Sequence, residues 1–128
     1  MSDDMIALSR RAVACRGWRW MPGMRWIVTR AAPLEDYAGR IVEGARRAPD
    51  GPGLPDLTDP ATVGCLLALV REAWGCAVMT SPDYDYDDEA RQGPNVIEWR
   101  AVETMRWTTV GEGATEAEAL VAALESAP

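Results

Sequence analysis

The chain has 128 residues, of which 48% are hydrophobic, and a formal net charge of −7. This length predicts one domain spanning residues 1–128, which would bury roughly two-thirds of the surface that the unfolded chain exposes. No window approaches the ~20 continuous apolar residues of a membrane span, and the N-terminus opens with Asp3 and Asp4 instead of a basic leader. Composition therefore argues against a membrane protein and predicts a soluble cytoplasmic one.

The charges are unevenly divided along the chain. All 13 basic residues are arginine, and histidine is absent. Residues 1–48 contain nine arginines and five acids, whereas residues 49–128 contain four arginines and fifteen acids. This asymmetry fits two distinct binding faces, or simply an attraction between the two halves during folding. The overall negative charge argues against a long nucleic acid polymer as a direct partner.

The N-terminal third predicts a helix followed by two strands. Ser2 can cap the first helix, in which apolar residues recur at steps of three and four until Gly17 ends it. A Pro-Gly turn at 22–23 leads into residues 24–29, which alternate as a strand does. A second strand is expected over residues 37–43, although this region also fits a short helix broken by glycines.

The clearest local signal is a helix with both ends marked. Residues 49–60 are too rich in proline and glycine for regular structure, and they bring the chain to Asp59, a good N-cap that is followed by proline. Gly75 is the expected left-handed stop. The apolar face between these ends consists of Val63, Leu66, Leu67, Val70 and Trp74. We expect this helix to be the central packing element.

Three strands are predicted after this helix. The first covers residues 76–80 and is followed by an acidic loop. The other two, 96–102 and 105–110, are expected to form a tight hairpin. In that hairpin Trp99 and Trp107 are expected to lie opposite one another and to stabilise the sheet.

A last helix completes the predicted fold. Thr115 and Glu118 have the spacing of a capping box, and an apolar face follows them. The elements sum to three helices and about five strands. Because the strands come mostly as hairpins, we predict an α+β single-domain sandwich, in which a largely antiparallel sheet packs with three helices.

The sequence contains no pattern that is typical of an enzyme. Cys15, Cys65 and Cys76 are an odd number without CxxC spacing, so we interpret them as structural residues with no disulfide and no zinc. No serine, threonine or cysteine has a basic partner in sequence, and without histidine a general base would have to be a carboxylate. We predict no catalytic residue, no metal and no cofactor.

An acidic segment is the first candidate binding site. It has five acids in seven positions with two tyrosines between them: Asp83, Tyr84, Asp85, Tyr86, Asp87, Asp88 and Glu89. The spacing of its first acids is that of a calcium loop, but Asp88 stands where glycine is required and Pro94 where the closing glutamate is required. The segment could imitate a nucleic acid backbone for an arginine-lined groove. The alternative is a solvated loop that maintains solubility.

An Arg/Trp segment is the second candidate. It interleaves guanidinium groups with aromatic rings: Arg16, Trp18, Arg19, Trp20, Arg25 and Trp26. Such a set could stack a base and clamp the phosphates of a small nucleotide. The alternative is that the tryptophans face the core while the arginines face water.

Three pieces of the chain carry a resemblance to a known type of protein. They are CRGWRWMPGM, LPDLTDPATVGCLLALVREAWG and TEAEALVAALESAP. In this order and spacing they resemble small uncharacterised proteins encoded by bacteriophages and prophages of GC-rich bacteria, and phage helix/sheet/helix sandwich domains. The similarity thins out over residues 30–50 and 80–95. It implies a phage accessory protein and supplies no catalytic motif.

Together the residues and the resemblance yield three functional hypotheses. The first is a non-enzymatic, anti-CRISPR-like inhibitor that binds a host defence protein or complex through the acidic segment, in the cytoplasm of the infected bacterium. The alternative is an oligomeric binding protein that sequesters a nucleotide immune signal in the Arg/Trp segment. The third is a minor virion or assembly component.

Overall fold

The computed structural model describes residues 2–28, 37–42, 53–83 and 98–128. These ranges contain three helices and six strands, which confirms the predicted α+β class. In chain order they are α1 (Asp3–Ala14), β1 (Arg25–Val28), β2 (Tyr37–Arg40), β3 (Leu54–Pro55), α2 (Pro60–Trp74), β4 (Val78–Asp83), β5 (Glu98–Glu103), β6 (Thr108–Gly113) and α3 (Glu116–Glu125). None of the described helices is long and apolar enough to cross a membrane.

Helix α2 begins and ends where its sequence predicts. The Asp59 carboxylate accepts the backbone N–H of Thr62 at 3.0 Å, so it satisfies one of the free donors of the first turn. Gly75 adopts a φ of 65°, and its N–H donates to the carbonyls of Arg71 and Glu72. Both ends depend on residues within one turn of the boundary, so the sequence pattern was sufficient to predict where the helix begins and ends.

Helices α1 and α3 are also capped as predicted, with two local differences. Ser2 accepts the N–H of Met5, but α1 ends at Ala14 because Cys15 is already extended, before the expected stop at Gly17. In α3 the Thr115 hydroxyl accepts the N–H of Glu118 at 3.1 Å. The Glu118 carboxylate reaches back to the N–H of Ala114 at 2.7 Å, one residue earlier than a standard capping box.

The strands form two antiparallel sheets, ordered β2-β1-β3 and β4-β5-β6, so the predicted single sheet of about five strands is wrong. Strand β3 lies in the proline- and glycine-rich segment that was expected to be irregular. It pairs with Trp26 and Ile27 at the edge of its sheet, where a proline without an N–H is tolerated. The strand interpretation of residues 37–43 is confirmed over 37–40, where Gly39 lies opposite Trp26.

The closing hairpin differs from its predicted register. Trp99 pairs with Gly113, and Trp107 lies in the turn, so the expected Trp99–Trp107 contact is wrong. A register shift between Ala101 and Val102 and a four-residue turn account for the difference. Strand β4 also runs beyond the expected residue 80 and ends at Asp83.

Helix α3, rather than α2, makes packing contacts with the most elements of the fold. It packs against β4, β5 and β6 and also contacts α1 and α2. Its buried residues are Ala117, Ala119, Leu120, Val121, Ala123 and Leu124. Gly111 and Gly113 let β6 approach this helix closely, because a Cβ on Gly111 would lie 2.3 Å from the Ala119 carbonyl oxygen. Helix α2 adds Leu66, Leu69 and Val70 to the same core.

Candidate functional site

The tryptophans of the Arg/Trp segment lie against the hydrophobic core. Trp18 and Trp20 form an edge-to-face pair with ring centroids 5.5 Å apart, and both are partly buried. The Trp26 ring covers Gly39, where a Cβ would lie 2.5 Å from it. This arrangement favours the interpretation that the tryptophans stabilise the fold, since rings that already pack against the core offer less surface to a base.

Arg25 of the same segment belongs to a structural network. Its guanidinium pairs with the carboxylate of Asp56, and its backbone N–H donates to the Thr62 hydroxyl at 2.8 Å. Asp56 is only 5% exposed. Burial alone would raise the pKa of Asp56, but hydrogen bonds from Thr58 and Arg25 outweigh it, and the pKa lies below its ordinary value. The positive charge of Arg25 therefore compensates the negative charge of the buried Asp56 carboxylate.

A second ion pair joins β2 to the start of α2. Two guanidinium nitrogens of Arg40 donate to the Asp59 carboxylate at 2.9 and 3.0 Å, and Arg40 also donates to the carbonyl of Gly23 at 2.6 Å. The Thr62 hydroxyl donates to Asp59 at 2.8 Å. Arg40 and Thr62 together hold the pKa of Asp59 well below its usual range, despite the opposing effect of burial.

Replacing Asp59 should separate its capping role from its charge. Asp59→Ala loses the cap and is expected to cost about 1 to 2 kcal/mol of unfolding free energy, whereas Asp59→Asn keeps a good cap and should cost less. Because the folded pKa is lowered, the advantage of Asp59 over asparagine is present at neutral pH and is lost as the pH falls below about 4. Urea denaturation at several pH values measures this, and a pH-independent difference would contradict the assignment.

Arg19 and Arg25 do not converge on one position. Arg19 pairs with Glu72 at 2.5 Å near the C-terminal end of α2, whereas Arg25 is held at Thr62 near the other end. Ten residues of helix separate Glu72 from Thr62, which corresponds to about 15 Å. The two guanidinium groups also pair with different carboxylates, Glu72 for Arg19 and Asp56 for Arg25, so each is already engaged. Arg16 is exposed at the end of α1.

Of the acidic segment, the structure describes only the first residue, Asp83. Asp83 is the last residue of β4 and lies opposite Glu98, the first residue of β5. Residues 84–89, with the rest of the predicted acidic site, lie outside the described residues. The β4–β5 ladder thus places the two ends of the connecting chain side by side, at the end of the sheet where α3 begins.

A surface that the sequence did not indicate is the turn between β5 and β6. We call residues 104–107 the hairpin tip. Met105 is 82% exposed and Trp107 is 76% exposed, and these are the two most exposed large hydrophobic side chains of the described residues. Arg106, between them, is also exposed. The turn contains no glycine that would have marked it in the sequence.

The backbone of the hairpin tip is held in one conformation. The two carboxylate oxygens of Glu103 accept the N–H groups of Met105 at 2.7 Å and Arg106 at 2.9 Å. Thr104 donates its N–H and its hydroxyl to the carbonyl of Ala77, at 3.1 and 3.2 Å. Trp107 has a φ of 54°, a left-handed conformation that bulky residues rarely adopt. The backbone of the tip is therefore preorganised, and the apolar side chains that it carries are exposed.

A cleft of about 470 Å³ lies where the first turns of the three helices meet. We call it the three-helix cleft. Its lining is mostly apolar and consists of Met5, Leu57, Thr58, Pro60, Val63, Gly64, Thr115, Glu116 and Ala117. At its edge one oxygen of the Glu116 carboxylate accepts the hydroxyl of Thr80 at 2.6 Å. The volume falls in the range of sites that hold a small molecule or a large side chain.

The described residues bring no three of the acids and cysteines together in an arrangement that could hold a metal ion. The chain matches no protein-family model, no curated protein and no solved structure. The bacteriophage origin that the resemblance implies therefore stays a prediction. The structure adds two candidate surfaces, the hairpin tip and the three-helix cleft, to the acidic segment that the sequence indicates.

Proposed function

We propose that this protein is a non-enzymatic inhibitor that binds a basic surface of a host anti-phage defence complex through the acidic segment, residues 83–89. The observation that carries the proposal is the last rung of the β4–β5 ladder, where Asp83 and Glu98 lie opposite each other. Both residues are acidic, and the sequence between them contains four more acids, Asp85, Asp87, Asp88 and Glu89.

The sequence around the acidic segment carries an excess of negative charge. Residues 78–98 contain six acids and one arginine. Arg19, Arg25 and Arg40 are engaged by acids elsewhere in the fold. Concentrated charge of one sign accelerates encounter with an oppositely charged partner and supports selection of that partner. This favours a basic protein surface over a nucleotide, whose phosphates the segment would repel.

Two of the three thiols, those of Cys15 and Cys65, lie in surroundings that disfavour nucleophilic chemistry, which supports a binding role. Cys15 donates to the carbonyl of Arg11 at 3.3 Å, and Cys65 donates to the carbonyl of Pro22 at 3.6 Å. Burial raises the pKa of both thiols, so the reactive thiolate is disfavoured. Their environment resembles that of structural cysteines.

The proposal is tested with a variant that removes the charge of the acidic segment. In it, Asp83, Asp85, Asp87 and Asp88 are changed to Asn and Glu89 to Gln. Expressed in bacteria that carry a defence system, the parent should restore phage plating and the variant should not. The thermal melt should stay within a few degrees of the parent, since each change exchanges a carboxylate for an amide of nearly the same size.

The matched control is Asp3→Asn with Asp4→Asn, which removes two exposed acids at the start of α1 and should keep the activity. Binding of the parent to the captured complex should weaken steeply between about 0.1 and 1 M salt, because exposed charges are then screened within about 3 Å. Full activity of the neutralised variant, or a parent that restores plating in none of a panel of defended hosts, would refute the proposal.

A further inference from the structure

We propose that the three-helix cleft of one copy of this chain receives the hairpin tip of a second copy, so that the protein self-associates head to tail. The inference is independent of the proposed function, because it involves neither residues 83–89 nor their charge. It rests on the shape of the cleft, on the chemistry of the tip and on where the two lie in the fold.

The cleft is left open by a glycine that the fold does not need. Gly64 lies in the interior of α2, where glycine costs about 1 kcal/mol relative to alanine. It has an ordinary helical conformation, and a Cβ on it would meet no atom within 4 Å. Packing therefore does not explain Gly64. Its missing side chain keeps one wall of an apolar cleft clear.

The hairpin tip has the composition of an interface anchor. Tryptophan, methionine and arginine are enriched where proteins contact one another, and tryptophan and arginine dominate the binding energy of such contacts. Met105 and Trp107 are presented by a backbone that Glu103 and Thr104 already hold. A preformed tip loses little conformational entropy on binding, which increases affinity for a given contact area.

The charges of the two surfaces are complementary. Arg106 lies between Met105 and Trp107 in sequence and is exposed, and the ion pairs of the described residues do not include it. At the cleft edge Glu116 uses one carboxylate oxygen for Thr80, which leaves the other oxygen for a cation. An apolar tip with a central cation matches an apolar cleft with an anion at its edge.

The tip and the cleft lie at opposite ends of β6. The tip directly precedes Thr108, and the cleft is lined by residues 115–117, which directly follow Gly113. Six residues of strand span about 20 Å, so a tip cannot enter the cleft of its own chain. A contact between two different surfaces is heterologous, and it produces a ring or an open chain of copies.

Sedimentation velocity tests the proposal on the full-length protein, from about 10 µM to about 1 mM, since small interfaces are weak. The parent should associate with increasing concentration. Trp107→Asn should weaken association by about tenfold or more, and asparagine tolerates the left-handed backbone. Gly64→Leu fills the cleft and should have the same effect without loss of helix. The control Val42→Ser, at another exposed apolar position, should leave association unchanged.

Mixing the two variants gives the decisive measurement. Trp107→Asn retains its cleft and Gly64→Leu retains its tip, so an equimolar mixture should form a 1:1 dimer and nothing larger. A parent that is monomeric throughout, an unaffected Gly64→Leu variant, or a mixture that stays monomeric would each overturn the proposal. Association should survive about 1 M salt, because the contact is mainly apolar. Its loss there would also overturn the proposal, whereas binding through the acidic segment is expected to be lost.

Discussion

The Leu66→Asp variant is expected to be unfolded at room temperature. Leu66 is 0% exposed and belongs to the hydrophobic core to which α2 and α3 both contribute. An uncompensated carboxylate there loses its hydration without gaining a partner, at a cost of several kcal/mol. The substitution also removes the apolar packing of the leucine, typically about 2 to 5 kcal/mol. The sum is comparable to the whole stability of a small domain, about 5 to 15 kcal/mol.

Circular dichroism during heating measures this effect, with Ala68→Asp as the matched control. Ala68 is two positions further along α2 and is exposed, so the same charged residue should cost about 1 kcal/mol or less there. A cooperative melt of Leu66→Asp close to the parent temperature would show that α2 does not pack through this face.

The Gly111→Ala variant is expected to lose about 3 kcal/mol, the upper end of the usual cost of overpacking. A single methyl group at this position would lie 2.3 Å from the carbonyl oxygen of Ala119 and 2.5 Å from the nitrogen of Ala123. Both are backbone atoms of α3, so no side-chain rotation relieves the clash. Either α3 moves away from the sheet or β6 distorts, and both open the core.

Urea denaturation measures the stability lost in the Gly111→Ala variant, and Gly64→Ala is the control. The same change at Gly64 places the methyl group in open space within a helix and is expected to stabilise the protein by about 0.5 to 1 kcal/mol. The two variants should therefore shift the urea midpoint in opposite directions. A Gly111→Ala midpoint equal to that of the parent would mean that α3 does not approach β6 as closely as described.

The sequence by itself determined the three helices and the class of fold. Asp59 and Gly75 are sufficient to bound α2, and Thr115 to start α3, because a cap acts on backbone groups within one turn of it. The composition also indicated the acidic segment, since charge is a property of residue types. The structure describes only Asp83 of the acidic segment, so the role of the segment stays a prediction.

Only the tertiary structure decided the division into two sheets, the partners of the arginines and the candidate interface. Strand β3 exists because β1 offers a free edge to Leu54, which the proline-rich local sequence does not reveal. Arg19 and Arg25 of the Arg/Trp segment pair with Glu72 and Asp56, and Arg40 pairs with Asp59, so these arginines have structural partners. Trp107 is exposed in the turn between β5 and β6, outside the strand pairing. Strand pairing, register and the shape of the cleft depend on contacts between residues far apart in the chain. A local sequence pattern predicts only the structure of the turn or helix in which it lies.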